Sequence, residues 1–161
     1  MNKTYLLIGC NEGNRTEHMN TAKEMIADKI GIIIRCSKMY ETAAWGKHDQ
    51  PDFLNQVLLV ETQLAAPICL QEILLIETRM GRVRTKKNDP RIIDIDILFF
   101  NNEIINDAHL TIPHPELQNR KFVLVPMNEL SPGLVHPVLH RSIRDLLSTC
   151  KDALDVRVFE R

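Results

Sequence analysis

At 161 residues, with 44% hydrophobic and 25% charged side chains, the chain has the size and composition of one globular domain rather than a disordered or fibrous segment. A formal net charge of −1 provides no long-range field to recruit nucleic acid or a membrane surface, so an anionic ligand has to be drawn by a local cluster of cations. The four cysteines, Cys10, Cys36, Cys69 and Cys150, are scattered without a C-x-x-C pair, which points to reduced thiols in a cytoplasmic protein.

Tyr5–Ile8 is a short apolar run ended by Gly9, too short for a signal-peptide core or a membrane span, and reads as a buried strand. Between Thr16 and Ile30, the positions Met19, Ala22, Met25, Ile26 and Ile30 recur at helical spacing, with Gly31 as a stop. Ile32–Tyr40 is β-branched at its start and predicts a second strand. The polar stretch from Thr42 to Asp52 is a loop, and Phe53–Thr62 a third strand. Pro67 suits a first helical turn, and Ile73, Leu74, Glu77 and Met80 continue that helix to Gly81. A basic stretch, Arg82–Lys87, precedes a fourth strand over Arg91–Phe100. Asn101-Asn102 turns into Ile104-Ile105, and helical patches follow near Glu116–Leu130 and Ser142–Thr149.

The resulting order, β-α-β-β-α-β, predicts an α+β ferredoxin-like fold: an antiparallel sheet with two helices on one face, plus a mixed C-terminal extension. No repeat, linker or low-complexity tract divides the chain, so a single domain over 1–161 is expected.

The most informative stretch is Arg91-Ile92-Ile93-Asp94-Ile95-Asp96-Ile97-Leu98. Alternate strand residues share a face, so Asp94 and Asp96 point the same way with Cα atoms about 6.5–7 Å apart. Ile93, Ile95, Ile97 and Phe99 are expected on the opposite face. Adjacent carboxylates repel and Asp is a poor strand residue, so a compensating charge is needed. Mg²⁺ commonly takes one or two carboxylates together with substrate phosphates. An isolated D-x-D is as readily a solvated strand face, but this one has company. Arg82, Arg84, Lys86, Lys87 and Arg91 lie just upstream, and guanidinium forks suit a triphosphate. Downstream, prolines flank His114, and Asn119-Arg120 follow. Phe53, Asn55 and Phe122 could stack a flat heterocycle and read its edge, although the two aromatic rings taken alone would pass for core.

Together these motifs resemble the 6-hydroxymethyl-7,8-dihydropterin pyrophosphokinase family of folate biosynthesis. The resemblance is carried by Ile8-Gly9-Cys10-Asn11, Tyr40-Glu41-Thr42, Trp45-Gly46, Asp49-Gln50-Pro51-Asp52-Phe53-Leu54-Asn55 and Gly81-Arg82-Val83-Arg84. It continues through Pro90-Arg91-Ile92-Ile93-Asp94-Ile95-Asp96-Ile97-Leu98, Leu110-Thr111-Ile112-Pro113-His114 and Asn119-Arg120-Lys121-Phe122. The chain departs from the family pattern at Cys10, at Asn88-Asp89 before Pro90, and at Pro115.

The resemblance implies a Mg²⁺-dependent transfer of the diphosphate of ATP to the pterin hydroxymethyl oxygen, with release of AMP. It implies two Mg²⁺ ions held by Asp94 and Asp96, with Arg82 and Arg91 stabilising the transferred group. Arg84, His114 and Arg120 are implied contacts of the ATP phosphates, and Glu77 a partner of the arginines. Leu70, Ile97, Leu110 and Thr111 are the implied adenine pocket. Phe53 and Phe122 are the implied pterin stack, with Asn55 and the backbone near Thr42 reading its edge. The partners implied are these small molecules, without nucleic acid or membrane, and a monomer is expected. The segments Thr42–Asp52 and Arg82–Pro90 are expected to order when Mg²⁺ and ATP bind. The rival expectation is a non-catalytic ferredoxin-like module that binds RNA or a small molecule, for which adjacent aspartates on a strand face are a poor design.

Overall fold

In the computed structural model, residues 1–43, 50–83 and 91–160 are described. The first strand, β1 (Asn2–Cys10), runs longer than the apolar run Tyr5–Ile8 because pairing on both of its edges satisfies the flanking polar residues. Asn14 then caps α1 (Arg15–Lys29), its side-chain oxygen accepting from the Glu17 N–H at 3.1 Å. The predicted strand Ile32–Tyr40 divides into β2 (Gly31–Cys36) and β3 (Tyr40–Thr42). The division occurs at Ser37, whose hydroxyl and backbone are drawn into bonds with Val57 and Lys38 instead of continuing a ladder. Both pieces pair with opposite ends of β4 (Phe53–Thr62).

Pro67 lies in the first turn of α2 (Ala66–Arg79), as its fixed φ and missing N–H allow. β5 begins at Asp94 and ends at Phe100, three residues later than the predicted start, and β6 (Ile105–Asn106) and β7 (Thr111–Ile112) form a small hairpin beyond it. The helical patch from Glu116 is broken: a 3₁₀ turn at Leu117–Asn119 gives way to extended backbone at Arg120, and α3 starts at Lys121 and ends at Leu130. α4 (Ile143–Ser148) and a short β8 (Arg157–Val158) complete the described chain.

The main sheet is antiparallel throughout, in the order β5-β1-β4-β3-β8 with β2 also on β4. α1 and α2 cover one face, packing Met19, Ile26 and Ile73 on Leu6, Ile8 and Leu58. This is the expected ferredoxin-like arrangement. The extension supplies a second layer, as α3 and α4 bring Leu124, Met127 and Leu146 against Leu7, Val57 and Leu98 on the other face. That layer covers only part of the face, and the uncovered end is where the cleft lies.

One departure from strict alternation decides how the extension packs. Tyr5 pairs with Phe99 but Leu6 pairs with Ile97, so Leu98 is an extra residue and β5 bulges there. Phe99, expected beside Ile95 and Ile97, therefore joins Leu98 on the α3 face, and Phe100 takes the place under the first two helices. Asp94 and Asp96 precede the bulge and keep the predicted common face.

Among the described residues no helix is long and apolar enough to cross a membrane. Leu124 is fully buried on α3, so Leu124→Ala is expected to cost about 2–5 kcal/mol, whereas Leu75→Ala on the exposed side of α2 is expected to stay within about 0.5 kcal/mol. Urea denaturation of the two variants checks the contrast.

Candidate active site

Neighbouring strands β1, β4 and β5 bring Gly9, Asn55, Asp94 and Asp96 to the uncovered end of the sheet. Phe53 opens β4 on one side, and Arg120 and Phe122 at the start of α3 stand on the other. Together they line a cleft of about 500 Å³, with Thr42 and Arg91 at its edges. Eight residues singled out from the sequence thus meet in one cavity, although they come from positions 42 to 122 of the chain.

Asp94 is held by two guanidinium groups. Arg82 donates from Nη1 to its Oδ1 at 2.7 Å, and Arg91 donates from Nη1 to its Oδ2 at 3.2 Å. The same Arg82 nitrogen donates to Glu77 Oε2 at 2.7 Å, and that oxygen also accepts from the Ile95 N–H at 2.8 Å. Glu77 is buried behind the strand, so it anchors Arg82 from the side away from the cleft. Burial, with the neighbouring charges of Asp94 and Glu77, pushes the Asp96 carboxyl up to about 7. The fields of Arg120 and Arg82 act against that rise.

No group of three or more His, Cys, Asp or Glu side chains converges as a metal cage among the described residues. The donor set at Asp94 and Asp96 nevertheless fits one kind of ion. Two hard carboxylates facing a cleft suit a Mg²⁺ that completes its shell with phosphate oxygens and water.

The remaining sequence candidates lie outside the cavity lining. Ile97 is buried, and Leu70 and Leu110 pack beside it in the layer of α1 and α2. Thr111 is exposed on β7, which lies against β5. None of these four lines the cleft. His114 is tied to β5, its N–H donating to Leu98 O at 3.0 Å while its Nδ1 accepts from Glu116 N–H at 3.1 Å. Burial first, and the charge of Arg120 second, hold its imidazole below the ordinary pKa, favouring the neutral ring. Arg84, with Lys86 and Lys87, lies outside the described residues.

Sequence reasoning missed two residues that shape this site. Asn11 is fully buried and bonds both segments that flank the cleft. Its Nδ2 donates to Gln50 Oε1 at 3.0 Å and Pro51 O at 3.2 Å, while its Oδ1 accepts from Arg91 N–H at 2.9 Å. Gly9 leaves room for Asn55, since a Cβ there would stand 2.5 Å from Asn55 Oδ1. Both belong to the Ile8-Gly9-Cys10-Asn11 run, which marked them as part of a motif without saying what they touch.

The family model for 7,8-dihydro-6-hydroxymethylpterin-pyrophosphokinase matches residues 5–132. A folic acid synthesis protein, fol1, of Schizosaccharomyces pombe is 40% identical over 89% of this chain, which spans only 20% of that relative. A 2-amino-4-hydroxy-6-hydroxymethyldihydropteridine pyrophosphokinase of Aquifex aeolicus is 36% identical, with 90% of each chain covered. A solved HPPK-DHPS structure from Plasmodium falciparum shares the fold with a TM-score of 0.76 at 22% identity, covering 92% of this chain and 43% of that one. The length of the family match and the Aquifex likeness place the chain: it belongs to the 7,8-dihydro-6-hydroxymethylpterin-pyrophosphokinase family.

Proposed function

We propose that this chain transfers the diphosphate of ATP to the hydroxymethyl oxygen of 6-hydroxymethyl-7,8-dihydropterin, releasing AMP. The observation that carries the reading is the cleft itself, with aromatic side chains from two opposite elements over a floor of one amide and two carboxylates. Phe53 and Phe122 offer faces for a flat bicyclic ring, and Asn55 offers a donor and an acceptor to its amide-like edge. Gly9 keeps that amide in place and Thr42 lines the same end. The ring so held would present its hydroxymethyl group toward Asp94 and Asp96.

The bond that forms joins that oxygen to the β-phosphorus of ATP, its proton passing to solvent, and the bond that breaks joins the β-phosphorus to the bridging oxygen, which leaves with AMP. Asp94 and Asp96 would hold two Mg²⁺ ions, which when bound supply Lewis-acid polarisation of the phosphate oxygens. Arg82 and Arg91 already stand at Asp94, where they can take the charge of the transferred diphosphate as it develops. Glu77 keeps Arg82 aimed there. Arg120, His114 and Arg84 are assigned to the nucleotide phosphates, and Leu70, Ile97, Leu110 and Thr111 to the adenine along the sheet edge. Asn11 holds the approaches to the pterin end and the phosphate end in fixed relation. Four free cysteines support a reducing, cytoplasmic setting.

The primary test separates nucleotides after the protein meets ATP, Mg²⁺ and the pterin. AMP equal to the pterin diphosphate formed is expected. ADP would replace this reading with ordinary phosphoryl transfer, and pterin binding without turnover would leave a binding module. Asp96→Asn removes a repelling carboxylate, so it is expected to raise Tm by about 2–4 °C for each kcal/mol relieved while lowering AMP release about 10²-fold or more. A calorimetric scan and the same assay read both effects. Gly9→Ala is expected to raise KM for the pterin more than KM for ATP, because the added methyl meets the Asn55 side chain at 2.5 Å and, less closely, the Leu54 carbonyl at 3.3 Å; steady-state kinetics with each substrate varied decides it.

A further inference from the structure

The family match ends at residue 132, yet the cleft does not: Asp152 and Leu154 also line it. The backbone that carries them crosses from α3 to the edge of the main sheet. α3 lacks a side-chain cap of its own, because Arg120 stands at its N-cap position and makes no capping bond. Asp152 supplies one from a distance. Its Oδ2 accepts from the Lys121 N–H at 3.0 Å, and its Oδ1 accepts from the Leu154 N–H at 3.0 Å. A carboxylate at a helix N-terminus both satisfies an orphan donor and complements the helix dipole.

The other end of the segment is fastened to the opposite wall. β8 pairs with β3, setting Val158 against Tyr40 and Arg157 against Glu41, and the Phe159 N–H donates to Met39 O at 2.9 Å. Arg157 Nη2 donates to Asp52 Oδ2 at 3.1 Å, next to Phe53 in the chain. Arg15 completes this anchor. It donates to Glu41 Oε2 at 2.7 Å and to Asp52 O at 2.8 Å, and its guanidinium lies 5.4 Å from the centroid of the Phe159 ring.

One strap of chain therefore grips the first turn of α3, which carries Phe122, and the β3–β4 edge, which carries Thr42 and Phe53. We infer that the C-terminal strap Asp152–Phe159 sets the spacing of the two aromatic walls, with Asp152 as a positioning residue for Phe122 and Leu154 as a direct apolar contact of the ring bound between them. The inference rests on the pterin reading above, and it extends the ring site to a part of the chain that the family match does not reach. The strap bears on the ring more than on the phosphates: its bonds avoid Arg82, Arg91 and His114, and it reaches Arg120 only through the neighbouring Lys121 N–H.

The test is equilibrium binding of fluorescent 6-hydroxymethylpterin to the full chain, with Mg²⁺ and a non-hydrolysable ATP analogue present. Affinity for the analogue and Tm are measured alongside. Asp152→Ala, which removes both acceptors, is expected to weaken pterin binding about tenfold. Asp152→Asn keeps one acceptor and is expected to fall between that variant and wild type. Leu154→Ala is expected to weaken pterin binding without touching the helix cap. Affinity for the nucleotide analogue is expected to stay within about twofold in Leu154→Ala, and in the Asp152 variants to fall less than affinity for the pterin, since Arg120 adjoins the capped Lys121. Unchanged pterin affinity in both Asp152→Ala and Leu154→Ala would overturn the inference. A parallel loss of pterin and nucleotide affinity that tracks Tm would also overturn it, by showing only general loosening. A wild-type chain that binds the pterin but releases no AMP would defeat the catalytic reading alone, leaving the strap to be judged by the variants.

Discussion

Asp94 and Asp96 face the same cleft from one edge strand, and the repulsion between their charges organises what surrounds them. Arg82 and Arg91 occupy the two oxygens of Asp94. Glu77 then becomes necessary behind Arg82, because a half-buried guanidinium with a single partner would keep donors unsatisfied. By accepting from the Ile95 N–H as well, Glu77 ties the last turn of α2 to the start of β5. One buried acid thereby joins the helical layer, the edge strand and the cleft. Asp96 keeps a raised pKa because its carboxylate is half-buried beside two others.

The sheet supports this chemistry by having two different faces. Under α1 and α2 it is apolar and closed, with Leu6, Ile8 and Leu58 inaccessible to solvent. The other face is closed only where α3 and α4 pack. The bulge at Leu98 separates these regimes along β5, because before it the outward positions are Asp94 and Asp96, and after it Leu98 and Phe99 turn toward α3. Polar function and apolar core thus share a strand without either intruding on the other.

Long-range polar bonds hold the cleft walls in register. Asn11 joins residues 39 and 80 positions away, at Gln50 and Arg91, and Asp152 joins Lys121 across 31 positions. A buried amide or a capping carboxylate suits this work, since each orients two partners and is costly to leave half satisfied. The cleft is consequently a product of ties between segments as much as of the segments that line it.

Much of this was legible in the chain. Periodicity located α1 and α2 because each buries one regular face, β4 was marked by a continuous apolar run because it is buried on both faces, and the D-x-D spacing put Asp94 and Asp96 on one side of a strand by geometry alone. Phe53, Asn55 and Phe122 could be named as a possible ring site from residue type, and their motifs tied them to a family. Other features could not be read in this way. The break at Ser37, the bulge at Leu98 and the extended backbone at Arg120 depend on partners far away in sequence, as does the cap that Asp152 gives to α3. Sequence by itself determined which residues carry charge, aromatic surface and helical or strand periodicity, since these are local properties of side chains and backbone. Only the tertiary structure decided which of them share a cavity, because that depends on strand register and on hydrogen bonds closed between segments that no local pattern specifies.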